Sequence, residues 1–97
     1  MSTKPPAKKL LLTLFGMTRS SVLTLLFAQP GRSFHFRQLV RAVGTGLGAV
    51  QRELRLLEKA GLIRRFRDRR RVCYEADTDC PIYADLARLL RKSASNP

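Results

Sequence analysis

Residues 44–63, GTGLGAVQRELRLLEKAGLI, carry the clearest hydrophobic period in the chain. Leu47, Val50, Leu54 and Leu57 recur every three or four residues, the spacing of one helix face. Gly48, Arg52, Arg55 and Lys59 cluster on the opposite side. Gly46 stands at the N-cap, a weaker cap than Ser or Asp. Gly61 is placed to stop the helix at C′, and Leu62 and Ile63 then begin an extended segment. Leu56 breaks the pattern, being apolar on the polar side.

The same reading organises the rest. Residues 1–9 are polar and basic with adjacent prolines, and are expected to form a flexible arm. Residues 10–15 are almost wholly apolar, too short for an independent helix, and must pack on something. A helix over residues 18–28 is expected, capped by Thr18, with Val22, Leu23, Leu26 and Phe27 buried and a turn at Pro30 and Gly31. Residues 33–36 alternate as a short strand does, Phe34 and Phe36 on one side and His35 on the solvent side. Residues 37–43 read as a helix with Leu39, Val40 and Val43 inward and Arg37 and Arg41 one turn apart outside. Two helices joined by Gly44-Thr45-Gly46 make the helix-turn-helix pattern.

Residues 62–67 and 71–76 are β-branched and aromatic around a charged turn at Asp68-Arg69-Arg70, which predicts a hairpin. Six of the eight residues from 64 to 71 are arginine. Like charges facing across strands are destabilising, so that density points to a polyanion that relieves it. A last helix is expected from Asp79 or Cys80 as cap, with Pro81 in its first turn. Its apolar side carries Ile82, Tyr83, Leu86, Leu89 and Leu90, and residues 93–97 form a tail. The fold class is therefore mainly α with a small β-hairpin, in the order α-β-α-α-β-β-α, with apolar segments at both ends. One domain spans residues 10–92.

Composition narrows the partner. With 19 Lys and Arg against 7 Asp and Glu, the net charge is +12. Such an excess favours nucleic acid first and an acidic membrane surface second. One histidine and two cysteines, Cys73 and Cys80, make neither a disulfide scaffold nor a zinc-ligand pattern. No cofactor and no metal is expected. The thiols are read as reduced and structural, a redox switch being the alternative. The apolar run after Lys8 and Lys9 falls short of a signal peptide, and no segment is long enough to span a membrane, so a cytoplasmic location is expected. No triad, phosphate loop or metal cluster is present, so an enzyme is not expected.

Several stretches resemble the ArsR-like winged helix-turn-helix transcriptional regulators: LFGMTRSSVLTLLF, FHFRQLVRAVG, LGAVQREL with LEKAGLI, the RRxVxYEAD strand and CPIYADL. LGAVQREL followed by LEKAGLI is similar to the subset often found beside nucleotidyltransferase domains. The resemblance implies DNA contacts from Gly48, Ala49, Gln51, Arg52 and Arg55, with further backbone contacts from the preceding helix and the wing. The chain departs from the pattern at Gly46, where a Ser or Thr cap is usual, at Cys80, where a capping Ser is common, and at Leu56. The helix RQLVRAV also lacks the Cys-x-Cys of metal-sensing relatives.

Chemistry assigns roles within that set. Arg52 and Arg55 suit guanine O6 and N7, and Gln51 suits adenine N6 and N7. Gly48 and Ala49 are small enough to let the helix sit deep. Arg67, Arg69, Arg70 and Arg71 are expected on phosphates or in the minor groove. Arg37 and Arg41 are either flanking phosphate contacts or solvated.

A homodimer is also expected, because the apolar ends exceed what one small core needs. Its interface would use Leu10, Leu11, Leu12, Leu14 and Phe15 together with Ile82, Tyr83, Leu86, Leu89 and Leu90. The alternative is that both segments close the monomer's core. Three functions follow: a sequence-specific DNA-binding regulator of repressor type, a nucleic-acid-binding or antitoxin-like partner of a separate nucleotidyltransferase, or a binder of structured RNA.

Overall fold

In the computed structural model, residues 6–29 and 31–95 are described. The start of the expected arm, Pro30 of the first turn and the last two residues of the tail lie outside them. Helix α1 (Ala7–Phe15) begins three residues before the expected apolar segment, so Ala7, Lys8 and Lys9 belong to a helix and not to an arm. Pro6 supplies an extended N-cap, and its carbonyl accepts from the amides of Lys9 and Leu10. The helix forms despite its length because Leu11 is buried where α1 packs on α2 (Met17–Phe27) and α5 (Tyr83–Ser95).

A single glycine separates α1 from α2. Gly16, at φ +85°, caps α2, and its carbonyl accepts from Ser20. Thr18, the expected cap, lies inside the first turn and donates to the Thr45 hydroxyl at 3.0 Å. Val22, Leu23, Leu26 and Phe27 are all buried, as their spacing predicts. Phe27 meets Tyr83 of α5 with ring centroids 5.8 Å apart.

Strand β1 (Phe34–His35) leads directly into α3 (Phe36–Val43), which starts one residue earlier than expected. Gln38 explains the start, because its side chain accepts from the His35 amide at 3.0 Å. Helix α4 (Leu47–Lys59) then ends as the sequence predicts. Gly61 adopts φ +84°, its amide donates to Glu58, and the Leu62 amide donates to Leu57, both at 3.0 Å. That pair of bonds is a Schellman stop.

Strands β2 (Ile63–Asp68) and β3 (Arg71–Ala76) form the hairpin, and β1 adds to β3, giving the antiparallel order β1-β3-β2. The register corrects one expectation. Arg64, Arg65 and Arg67 stand opposite Glu75, Tyr74 and Val72, and Arg71 opposite Asp68. No arginine of the hairpin faces another across the strands, so the cross-strand repulsion inferred from composition does not arise.

Val22, Leu26, Phe27, Leu39, Val50, Leu54, Ile63 and Leu90 form the centre of the core. Leu11 and Leu90, expected at a subunit interface, belong to this core and are withdrawn from that surface. Phe15, Tyr83 and Leu86 are half-buried against it. Leu10, Leu14, Ile82 and Leu89 remain exposed. Ser93, expected in the tail, is buried on α5. Leu47 also departs from its expected place: it begins α4, one turn ahead of buried Val50, and is 56% exposed.

Candidate nucleic-acid interface

The turn between α3 and α4 sets the direction of α4. Gly44 and Gly46 hold φ of +77° and +102°, values that L side chains adopt only under strain. The Gly44 amide caps α3 by donating to Val40 at 3.1 Å. The Thr18–Thr45 hydrogen bond ties the middle of the turn to α2.

Two ion pairs then join α4 to its neighbours, beside the buried stripe of Val50, Leu54 and Leu57. Arg19 of α2 holds Glu53 at 2.5 Å, and Arg65 of β2 approaches Glu58 at 3.7 Å. Both acids of α4 are therefore tied to neighbouring elements. Gln51, Arg52 and Arg55 stay exposed, and no ion pair engages either arginine among the described residues. The Arg52 guanidinium folds back along the helix to Gly48, 3.5 Å from where a Cβ would stand.

The same division holds elsewhere. Glu75 is bound by Arg64, through Nε at 2.7 Å, and Asp85 by Arg88 at 3.6 Å. Asp77 accepts from the Asp79 amide. Arg37 and Arg41 on α3, and Arg67, Arg69 and Arg70 on the wing, are exposed with no ion pair among the described residues. Among the described residues the hairpin carries two acids, Glu75, bound by Arg64, and Asp68, opposite Arg71. Arg19, Arg64, Arg65 and Arg88 are thus paired with acids, while the arginines on α3, on α4 and at the wing tip have no ion pair among the described residues.

A cleft of about 560 Å³ joins these elements. Arg37 and Arg41 from α3, Gln51 from α4, and Arg65 and Arg71 from the hairpin line it, over Phe36, Val72 and Tyr74. Burial pushes the Tyr74 phenol above its usual pKa. Arg65 and Arg55 oppose that shift and Glu58 adds to it. His35, expected to face solvent, is half-buried at the cleft, with Nε2 3.0 Å from the Arg71 guanidinium.

The structure thus brings Arg37, Arg41, Gln51 and Arg71 together around one cleft. Gly48, Ala49, Arg52 and Arg55 lie along α4, and Arg69 and Arg70 form the wing tip. Sequence reasoning passed over Arg65, Tyr74 and Leu47. The first two are visible only through strand register. Leu47 was hidden by its fit to the apolar period. Cys73 is buried and Cys80 half-buried, both as free thiols. Among the described residues, no group of His, Cys, Asp and Glu assembles that could hold a metal ion, and no helix is long and apolar enough to cross a membrane.

Helices α2, α3 and α4 preceding a hairpin, with the short strand β1 closing the sheet, define a winged helix-turn-helix. A solved structure shares the arrangement: the crystal structure of a predicted DNA-binding transcriptional regulator from E. coli. It matches with a TM-score of 0.64 and 25% identity, over 86% of this chain and 84% of that one. No family model matches the chain, and no curated protein does.

Proposed function

We propose that the chain is a DNA-binding transcriptional regulator that lays α4 in the major groove and its arginine wing on the backbone or minor groove. The observation that carries this reading is the sorting of charge. The acids of α4 are paired to α2 and β2, while Arg52 and Arg55 on α4, Arg37 and Arg41 on α3, and the wing-tip arginines have no ion pair among the described residues. A duplex presents phosphates and base edges to such a surface. The regulator matched from E. coli, aligned over most of both chains, supports it.

The finer reading is an ArsR-like repressor acting as a homodimer in the cytoplasm. Exposed Leu10, Leu14, Ile82 and Leu89, on and beside the two terminal helices that pack together, are the residues offered to a second copy. Half-sites about 10 base pairs apart follow from two-fold symmetry. Light scattering at micromolar concentration should return twice the chain mass, and a monomer would remove the dimer from the proposal.

Selection from random duplex DNA tests the central claim. It should enrich a motif on which Arg52→Ala loses about 1–3 kcal/mol while random DNA is held nearly as before. Equal weakening on both DNAs would end the base-reading role of Arg52.

A further inference from the structure

We propose that the cleft between α3, α4 and the sheet binds a small aromatic anion, a ring carrying a carboxylate or phosphate, and that its occupant excludes DNA. The second half rests on the DNA-binding reading above; the first does not. The cleft's volume of about 560 Å³ suits a ligand of drug or nucleotide size. Its lining is divided in kind. Phe36 and Val72 are half-buried and Tyr74 nearly buried, so they make an apolar floor. The four arginines of its lining are exposed and make a rim.

The rim is short of acceptors. Among the described residues no Asp or Glu lines the cleft. Arg37 and Arg41 have no ion pair among the described residues, Arg65 reaches Glu58 only at 3.7 Å, and Arg71 is anchored by His35. Guanidinium groups present a planar fork that matches carboxylate and phosphate oxygens. A duplex phosphate would use that rim alone. The aromatic floor beneath it offers nothing to a phosphodiester and offers a stacking surface to a ring. An occupant with both parts is the one that uses the whole site.

Gln51 stands on the same rim, so a bound anion occupies the space between the recognition helix and the wing. Ligand and DNA then compete for the arginines as well as for the volume. Linkage makes that antagonism reciprocal: whatever the ligand does to DNA affinity, DNA does to ligand affinity by the same factor.

The test uses the full chain with two fluorescent probes, methylanthraniloyl-ATP for the phosphate source and anthranilate for the carboxylate source. At least one should bind saturably at one per chain, and inorganic tripolyphosphate should compete at least tenfold less well than the better probe. Arg41→Ala and Arg37→Ala, both at exposed positions and checked for fold by circular dichroism, should each weaken that probe severalfold. Arg69→Ala, at the wing tip, should not. Absence of binding by both probes would overturn the site, and so would binding unaffected by either cleft variant or matched by tripolyphosphate. A probe that binds the DNA complex as tightly as the free protein would overturn the exclusion. Probe binding without any duplex binding would leave the site standing and remove the DNA reading instead.

Discussion

Arg69 should lower stability and raise DNA affinity at once, and Arg69→Gly should reverse both effects. It is the one non-glycine with positive φ among the described residues, at +59° in the two-residue turn between Asp68 and Arg71. Holding an L residue in the left-handed region costs about 1–2 kcal/mol. Glycine removes that cost but adds roughly 0.5–1 kcal/mol of chain entropy to be lost on folding. The variant should therefore be more stable by up to about 1.5 kcal/mol, which in a domain this size raises Tm by as much as ~6–12 °C. Scanning calorimetry reads this directly. On duplex DNA the same change removes one phosphate contact, so the slope of log K against log salt should shrink by about 0.9. Between 50 and 200 mM salt, that makes the variant's loss of affinity about 3.5-fold smaller than the parent's, measurable by fluorescence anisotropy. Arg69→Asn tolerates the same backbone and loses the same charge, so it should track the glycine variant on DNA. A fall in Tm for Arg69→Gly would refute the strain in the turn. An unchanged salt slope in both variants would take the wing tip off the DNA.

Two further substitutions test other parts of the face. Gly48→Ala should stabilise the protein by ~0.5–1 kcal/mol in urea unfolding, since the added Cβ meets only the flexible end of Arg52 at 3.5 Å. The same variant should bind its DNA site more weakly if α4 lies deep in the groove, and undiminished affinity would show that it does not. For Tyr74, burial raises the folded pKa above the unfolded value of 10.0. Its contribution to stability is therefore complete below pH 10 and is lost as pH rises through the folded pKa. Urea midpoints between about pH 9 and 12 should fall less steeply in Tyr74→Phe than in the parent, and parallel curves would assign the loss to other groups.

Most of the winged architecture was legible because its signals are local. Gly61 is followed by Leu62 as a Schellman stop requires, and the α4 stripe from Val50 to Leu57 matches its burial. What was not legible depends on distant partners. Residues 7–15 form a helix through Leu11, whose contacts come from α2 and α5, and no propensity within nine residues reports that. Leu47 fits the apolar period but lies beyond the edge of the core it would have joined. The hairpin's arginines were counted correctly, yet their meaning depended on register. Pairing Arg64 with Glu75 and Arg65 with Tyr74 changes an apparent conflict into one ion pair and one wall of a cleft. The cleft itself draws on five elements, β1, α3, α4, β2 and β3, so no single window of sequence contained it.

The beginning of α4 links folding to recognition. Gly46 brings no side-chain cap, and the neighbouring Thr45 hydroxyl is engaged with Thr18. The amides of Leu47, Gly48 and Ala49 precede the first backbone bond of the helix, from Val50 to Gly46, and so have no acceptor among the described residues. A phosphate oxygen laid against that end would accept from them and complete the turn. The first turn of α4 therefore has donors to spare, which contact with a polyanion would use. Part of the binding energy is then folding energy, and a mutation that capped α4 in the free protein would steady the helix while weakening its hold on DNA.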